Sequence, residues 1–531
     1  MRLSLDINLT SRRCLLICFS AGLILRLIPE LLAFPHPISF DMVHYAYFMR
    51  NGVVWEHWSS FFTSTWLLYS FLFPIHNIFQ VDSFLLLKIV GPILFGLNVC
   101  GIYWFARSLL GWSLKESLLA GGFFSVQLAS LRISSEFLRN TLGLGLLLFA
   151  LSFVKKVDSR RGFVAFMILS LLAVFAHEYA AVTLLVTSFG FILLGLMKKR
   201  DFERVKLSKK LLFAVLPAFL VFVAGLGLRM FPVAFEQPQA VGPNLVMVED
   251  VSRQEYGPLF FLVNYLGMET GIDIYPNYLF LVLSVLGLFV LLYSSFFFLV
   301  WKGFFRNEIL DFWTVLLLVG SFGCLVLPFF ALKFWHRWMF MLVYPFSFYA
   351  VNGASILLSK LWQQGITSTK LGRFRNKVFA MVSASTLLGG LFLATPFMMI
   401  NVGFGIYSLF PLCRYFCSSP TVPYQDVDGT IEAMQWLENN LENDSCAVLH
   451  KAFAVWSMLY LENQHNVVGY EVDVDLALDY ALQMDYEHIY FVCWNEDVGW
   501  YGVYVPEGFV ELQSFCRISV YGYEGWWTDG R

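Results

Sequence analysis

Charged residues are scarce in this chain. Only 14% of its 531 residues are Asp, Glu, Lys or Arg, whereas 58% are hydrophobic and 18% are aromatic. Soluble domains usually carry about a quarter charged residues. The composition therefore excludes an ordinary soluble enzyme and predicts an α-helical membrane protein with several spans.

Several familiar motifs are also missing. The sequence contains no Walker loop, no GxSxG and no HExxH, so ATP-driven transport and the common hydrolase chemistries lose support. Cys413 and Cys417 lack the second CxxC or His pair that a zinc site needs. Five of the nine cysteines follow residue 400, where a disulfide is permitted but no pairing is predicted.

Eleven apolar runs have the length of a bilayer span, about 20 residues each. Their ranges are 14–34, 84–108, 118–135, 137–154, 162–177, 179–197, 211–230, 278–301, 312–332, 338–359 and 378–400. The third and fourth runs abut, as do the fifth and sixth, and charged residues at both junctions favour hairpins over long kinked helices. The first run lacks a small-residue cleavage site, so we expect it to remain as an anchor.

Lys and Arg are distributed unevenly between alternate loops. One set of loops holds 23 of them, and the other set with its edges holds seven. The positive-inside rule makes the first set and the amino terminus cytoplasmic. An odd number of spans in the cell membrane then puts the carboxyl terminus outside.

The last 131 residues have a different composition from the rest. Residues 401–531 contain 19 acidic and four basic residues, a net charge of −15, while residues 1–400 carry +13. Aromatic and β-branched runs such as Cys446–Leu449 and His488–Trp494 alternate with helical patterns such as Thr430–Asn440. We therefore predict a membrane domain, 1–400, and a small acidic α/β domain, 401–531, outside the membrane.

The first external loop, 35–83, is too long to be only a connector. It begins with a motif that delivers Asp41, followed by His44 and Tyr45. The segment Trp55–Phe79 mixes Trp, Phe, His and Ser, which is typical of helices lying at a membrane interface. The loop is expected to form a roofed pocket at the lipid boundary.

Further polar residues fall at external junctions. Arg132, Glu136, Arg139 and Asn140 follow an i, i+4, i+7, i+8 pattern, which puts them on one face if the segment is a single helix. Two cations and a carboxylate on that face could cradle a phosphate. The other external junctions present His177 with Glu178, and His336 with Arg337.

Each of these residues also has a structural interpretation. Arg132 and Glu136 could form a local ion pair, and Arg337 could anchor an aromatic belt. His177 could end a helix, and Asp41 could cap one. Arg26 and Lys88 inside apolar runs could pack or snorkel.

Together, the motifs resemble those of the GT-C superfamily of integral-membrane glycosyltransferases, which use polyprenyl-phosphate-linked sugars. The resemblance covers the order of the motifs, their predicted position on the same side of the membrane, the long first loop and the external carboxyl-terminal domain. It rests on the segments Phe40–Tyr45, Arg132–Asn140, Ala176–Glu178 and His336–Met339 with Tyr344-Pro345.

The resemblance implies an inverting sugar transfer at the outer leaflet. Asp41 matches the first-loop acid that acts as general base or orients the acceptor, and Glu136 takes the place of the second-loop acid. Arg139 and Arg337 match positions that meet the lipid phosphate of the donor, with Arg132 and His336 as further candidates beside them.

Other assignments concern the pocket, the metal and the partners. His44, Tyr45, His177 and Glu178 are expected to line the pocket for a glycan, lipid or protein acceptor. The paired DxD or DxE of some members is missing, so no cofactor is assigned; Mg²⁺ or Mn²⁺, if bound, would be held by Asp41 and Glu136. The bilayer and the polyprenyl-phosphate sugar are expected partners, and nucleic acid is not.

Two other classes of function remain open. A transporter or flippase for a lipid-linked or anionic solute would place ionisable residues along a path through the bilayer centre. A non-catalytic scaffold would use the acidic tail to bind a partner. For the glycosyltransferase, we expect the tail to aid acceptor choice or stability and to supply no essential acid or base.

Overall fold

Two regions make up the fold, a helical bundle and an α/β domain. The computed structural model of the chain describes residues 10–39, 41–51, 61–62, 65–197, 201–230, 243–248, 278–326, 335–363, 388, 421–462, 464–470, 473–484, 486–495 and 504–523. The helices of the bundle and its loops are α1 (Ser11–Leu32), α2 (Met42–Asn51), α3 (Leu67–Phe79), α4 (Ser83–Phe105), α5 (Leu114–Ser125), α6 (Leu128–Glu136), α7 (Leu138–Ser152), α8 (Arg160–Ala176), α9 (Glu178–Met197), α10 (Phe202–Met230), α11 (Tyr278–Tyr293), α12 (Phe297–Gly303), α13 (Glu308–Val326), α14 (Trp335–Met341) and α15 (Val343–Gln363).

The bundle belongs to a multi-pass membrane protein, but the predicted eleven spans are not confirmed. Among the described residues, six helices are long and apolar enough to cross a bilayer, and α11 with α12 add a seventh if the two count as one span. These two helices are bent by 85°. The predicted run 118–135 is divided between α5 and α6, and 378–400 lies outside the described residues except for Leu388.

Both predicted hairpins are present, and each turns at a single residue. His177 has extended backbone angles between α8 and α9. Asp158, just before α8, pairs with Lys210 of α10 at 2.8 Å, and a Cβ on Gly195, near the end of α9, would meet Ser208 of α10. The distant ends of α8 and α9 therefore meet at one end of α10, which confirms the hairpin.

The other hairpin turns at Phe137, whose angles (φ −113°, ψ 64°) end α6 and begin α7. Lys155, just after α7, donates to the Leu109 carbonyl at 2.9 Å, and Leu109 lies four residues before Ser113, the N-cap of α5. The arm formed by α5 and α6 thus runs opposite to α7. The sequence did not predict the second break in this arm, at 126–127.

Interruptions of three helical segments meet inside the bundle. The Ser295 hydroxyl, between α11 and α12, donates to Oε1 of Gln127, between α5 and α6, at 3.2 Å. The Tyr293 hydroxyl donates to the Met339 and Phe340 carbonyls near the end of α14, at 2.5 and 3.3 Å. Such interruptions are tolerated in a membrane where polar partners replace the lost helical hydrogen bonds.

The second region is an α/β domain built on a six-stranded sheet. Its elements are β1 (Asn244–Met247), α16 (Val427–Asn440), β2 (Ser445–His450), α17 (Lys451–Tyr460), β3 (Asn466–Tyr470), α18 (Val474–Gln483), β4 (His488–Trp494), β5 (Phe509–Phe515) and β6 (Ile518–Tyr523). The strand order is β1-β3-β2-β4-β6-β5. The pairs among the first four strands are parallel, while β6 pairs antiparallel with β4 and β5.

The edge strand β1 comes from the loop after α10, not from the tail. Asn244 to Met247 pair with Asn466 to Gly469 of β3. This loop and the tail must therefore lie on the same side of the bundle. The predicted domain boundary at 401 lies outside the described residues and stays a prediction.

A buried ion cluster joins α1 to α4. Glu30 lies between two cations, with Oε1 at 2.7 Å from Nη2 of Arg26 and Oε2 at 3.1 Å from Nζ of Lys88. Arg26 is fully buried, and the side chains of Glu30 and Lys88 are 2% and 6% exposed. Arg26 and Lys88 therefore do not snorkel, and both depend on Glu30 for charge compensation.

Replacing Glu30 should destabilise the bundle strongly. Glu30→Gln leaves two buried cations without a counter-charge, and breaking a buried pair typically costs about 3–5 kcal/mol. Thermal unfolding in detergent measures this as a lowered melting temperature. Glu203→Gln is the matched control, because Glu203 is 76% exposed and lies 4.0 Å from Lys206; equal melting temperatures of the two variants would contradict the prediction.

Candidate active site

Asp41 lies at the start of α2, the first helix of the long loop after α1. Its backbone carbonyl accepts the Tyr45 N–H at 3.0 Å, as expected of a residue at a helix start. Its carboxylate Oδ2 lies 3.9 Å from Nη2 of Arg337 on α14, and the Arg337 and Asp41 side chains are 21% and 25% exposed. The two charges are therefore loosely paired, and both side chains are partly exposed.

Arg337 packs on the turn of the α6–α7 hairpin. Its guanidinium carbon lies 4.3 Å from the centre of the Phe137 ring, a cation–π contact. The preceding residue, His336, is buried and its ring lies 5.9 Å from that of Phe340 on the same helix. Both residues were predicted to bind the phosphate of the sugar donor. Arg337 faces Asp41, while His336 packs against its own helix.

The prediction that Arg132, Glu136, Arg139 and Asn140 share one helix face is wrong. The break at Phe137 puts the first two on α6 and the last two on α7. Arg132 Nη2 and Glu136 Oε1 form an ion pair within one turn, and each side chain is only 10% exposed. For Arg132 and Glu136, the structure therefore confirms the alternative interpretation, a local ion pair.

Arg139 instead faces the first external loop. Its Nη1 donates to the Thr65 hydroxyl at 2.7 Å. Its guanidinium carbon lies 6.0 Å from the ring centre of Tyr45 and 5.8 Å from that of Tyr69. Two aromatic rings and one hydroxyl thus fix the guanidinium without neutralising its charge.

The His177 turn lies next to this cluster. Its Nδ1 accepts the Tyr179 N–H at 3.2 Å, so the ring caps the start of α9, in agreement with the structural interpretation of a histidine at a helix terminus. The Tyr179 ring in turn lies 5.0 Å from Trp338, the residue after Arg337. Glu178 begins α9 and acts electrostatically on Tyr179.

Electrostatic interactions join these side chains into one site. Asp41 and Arg337 both act on the buried Glu136 carboxylate. Arg139 and Arg337 both act on His177. The structure therefore brings five of the predicted residues together from the first loop, two hairpins and α14.

His44, one turn into α2, is affected by the same charges. Burial lowers the pKa of His44, the Asp41 carboxylate opposes this shift, and Arg139 and Lys451 add to it. The pKa of the neighbouring Tyr45 is raised, mainly by burial. At neutral pH both side chains are therefore uncharged.

Lys451 is a cation near the candidate site that the sequence prediction missed. It begins α17, directly after β2 of the α/β domain, and its charge acts on His44 of the first loop. The sequence did contain a signal for Lys451, because it is one of only four basic residues in the acidic tail. Its proximity to His44 could not be predicted without knowing how the domain packs on the first loop.

The α/β domain covers the site. His36 Nε2 lies 3.2 Å from Asp428 Oδ1, and Arg50 donates to the Leu459 carbonyl at 3.2 Å. The Phe84 and Trp456 rings lie 6.0 Å apart, within an apolar cluster that continues from the first loop into the domain. The described parts of the first loop and of the α/β domain, including β1, therefore pack together, while the roofed pocket expected from Trp55–Phe79 stays a prediction.

The donor set does not favour a divalent metal. Within the described ranges, no group of three or more His, Cys, Asp or Glu side chains could hold one. The two carboxylates suggested as ligands already face cations, Asp41 with Arg337 and Glu136 with Arg132. The sugar transfer proposed for this site therefore includes no step on a metal.

Comparison with known proteins finds likenesses only among solved structures. No family model and no curated protein matches the chain. The chain is similar to a solved structure described as the crystal structure of ArnT from Cupriavidus metallidurans bound to undecaprenyl phosphate, with 11% identity, 96% of this chain and 97% of that chain covered, and a TM-score of 0.45.

The lowered pKa of His44 predicts a pH dependence of stability. The unfolded chain takes up a proton as the pH falls through about 6.5, while folded His44, whose pKa is lowered by burial, takes up its proton only at a lower pH. Stability linked to this group is therefore complete above that pH and falls below it. In His44→Asn we expect the melting temperature to fall less between pH 7.5 and 5.5 than in the wild type; equal falls would exclude His44 as a source.

Proposed function

We propose that the chain is a membrane glycosyltransferase that transfers a sugar from a polyprenyl-phosphate-linked donor to an acceptor at the extracytoplasmic face, with inversion. The observation that carries the proposal is the Asp41 carboxylate 3.9 Å from the Arg337 guanidinium. A base and a phosphate-binding cation are thus held side by side at the end of the bundle.

The acceptor nucleophile is activated by Asp41. An acceptor hydroxyl or amide attacks the anomeric carbon and gives its proton to the carboxylate, while the bond from that carbon to the phosphate oxygen breaks. General base catalysis of this kind typically contributes about 10²–10⁴-fold. The loose pairing of Asp41 supports this role, because a tight ion pair would hold the lone pairs that must accept the proton.

The leaving phosphate is stabilised by Arg337 and Arg139. Both guanidinium groups are planar donors suited to phosphate oxygens. Each is fixed by aromatic rings, Phe137 for Arg337 and Tyr45 with Tyr69 for Arg139. Groups that are already ordered stabilise developing charge without reorganising.

The remaining predicted residues are assigned to the pocket. We propose that His44, Tyr45, His177 and Glu178 line the acceptor side, with Lys451 of the α/β domain opposite them. Glu136, held by Arg132, acts on Asp41 and Arg337 through its charge. The tail thereby aids acceptor choice through Lys451 and supplies no acid or base.

The tail is also expected to support the folded state. Deleting residues 401–531 would remove β3, the partner of β1, and uncover the apolar cluster that the first loop shares with the domain. A truncation would therefore mix loss of folding with loss of acceptor binding. Point variants in the full chain separate the two roles.

Asp41→Asn should abolish most sugar transfer. The amide keeps the shape but cannot accept the proton, so we expect the rate to fall by about 10²-fold or more. Proteoliposomes supplied with polyprenyl-phosphate sugar and acceptor measure the transfer. Asp158→Asn is the control, because Asp158 also pairs with a cation, Lys210, but at the opposite end of the bundle; wild-type transfer by Asp41→Asn would rule out this base.

Arg337→Lys should weaken use of the donor while keeping the charge. A lysine lacks the planar fork, and a hydrogen bond to a charged group contributes about 1.5–3 kcal/mol. We expect kcat/KM for the donor to fall about 10–100-fold, and further in Arg337→Gln. Arg204→Lys, which alters an ion pair with Glu308 far from the site, should leave kcat/KM unchanged; no difference between the two Lys variants would contradict the assignment.

One observation favours the flippase as the second candidate. The interruptions at Gln127 and Ser295 meet inside the bundle, and transporters often form their substrate sites from interrupted helices. Acceptor-free proteoliposomes distinguish the two functions. Movement of lipid-linked sugar between leaflets that is unaffected in Asp41→Asn would support the flippase and contradict the transferase.

A further inference from the structure

An apolar groove lies at the end of the bundle opposite the candidate site. It is a space of about 700 Å³ between α1, α4, α7 and α8, lined by Leu16, Phe19, Trp104, Phe149, Phe153 and Leu169 among others. The volume lies within the range of small-molecule sites, roughly 300–1,000 Å³. Leu16 is 66% exposed, so the groove opens towards the surrounding lipid.

The position of the groove separates it from the donor phosphate. Arg12 lines it at the beginning of α1, while the other end of α1 leads into the loop that carries Asp41. A helix of 22 residues is about 33 Å long. A phosphate held at Arg337 and Arg139 therefore cannot also contact Arg12.

Two cations border the groove at the same end. Arg12 belongs to α1, and the Lys156 Nζ lies 5.7 Å from the Trp104 ring centre and 5.6 Å from that of Phe153. Both rings line the groove. An apolar slot with cations at one end complements a lipid that has an acyl chain and an anionic headgroup.

We propose that this groove binds a glycerophospholipid with an anionic headgroup from the predicted cytoplasmic leaflet. One acyl chain lies along the groove, and Arg12 and Lys156 hold the phosphate. The polyprenyl tail of a donor is a weaker fit, because it is uncharged and would leave both cations without a partner. The proposal does not depend on the reaction at the other end of the bundle.

Native mass spectrometry of the full-length protein tests the headgroup assignment. Phosphatidylglycerol and phosphatidylcholine with identical acyl chains are added in detergent, and retention of each is measured. We expect the wild type to retain phosphatidylglycerol at least about tenfold better, since two nearby cations attract an anionic lipid. Arg12→Gln combined with Lys156→Gln should abolish this preference.

The control removes two other cations of the predicted cytoplasmic loops, Lys115→Gln with Lys206→Gln, and should retain the wild-type preference. Equal retention of the two lipids by the wild type, or an equal loss in the control, would overturn the assignment of Arg12 and Lys156. Melting temperatures show that each variant remains folded.

A filling variant tests the groove itself. Leu169→Trp should lower retention of both lipids while the preference between them persists, because the chain site is narrowed and the cations remain. If Leu169→Trp leaves the retention of both lipids unchanged, the groove is not the binding site of the acyl chain. Displacement of phosphatidylglycerol by a neutral polyprenol, but not by phosphatidylcholine, would instead assign the groove to a polyprenyl tail.

Discussion

The turn at Phe137 is the constraint on which the candidate site depends. One residue with non-helical angles ends α6 and begins α7, so Arg132 pairs with Glu136 while Arg139 faces the first loop. The same residue supplies the ring on which Arg337 packs at 4.3 Å. In an uninterrupted helix, Arg132, Glu136 and Arg139 would share one face, and both cations would compete for a single carboxylate.

The partners of the three arginines explain which of them suit a phosphate. Arg132 is paired with a carboxylate, which offsets its charge. Arg139 contacts the Tyr45 and Tyr69 rings and Arg337 contacts the Phe137 ring, and such contacts orient a guanidinium but leave its net charge in place. The site therefore combines two cations with one loosely paired carboxylate, Asp41, and this difference supports the proposed division of roles.

Much of the bundle could be predicted from local sequence, because a membrane imposes a length and a charge rule on each segment. The two hairpins follow from polar junctions such as His177, and Asp41 follows from a motif in a long loop. Contacts between distant segments could not be predicted in this way. The pairing of β1 with β3, the contact of Glu30 with Lys88 and the position of Lys451 all join residues far apart in sequence, and no local pattern encodes them.

The two charge regions of the chain now have a spatial meaning. The acidic domain packs on the first loop, so a water-soluble acceptor in the proposed reaction reaches Asp41 past a domain of net charge −15. A lipid-linked donor arrives from within the bilayer and avoids most of that field, because screening limits it to about 10 Å. In the proposed reaction, the domain therefore disfavours anionic acceptors without excluding the anionic donor, and Lys451 is the cation proposed to face the acceptor.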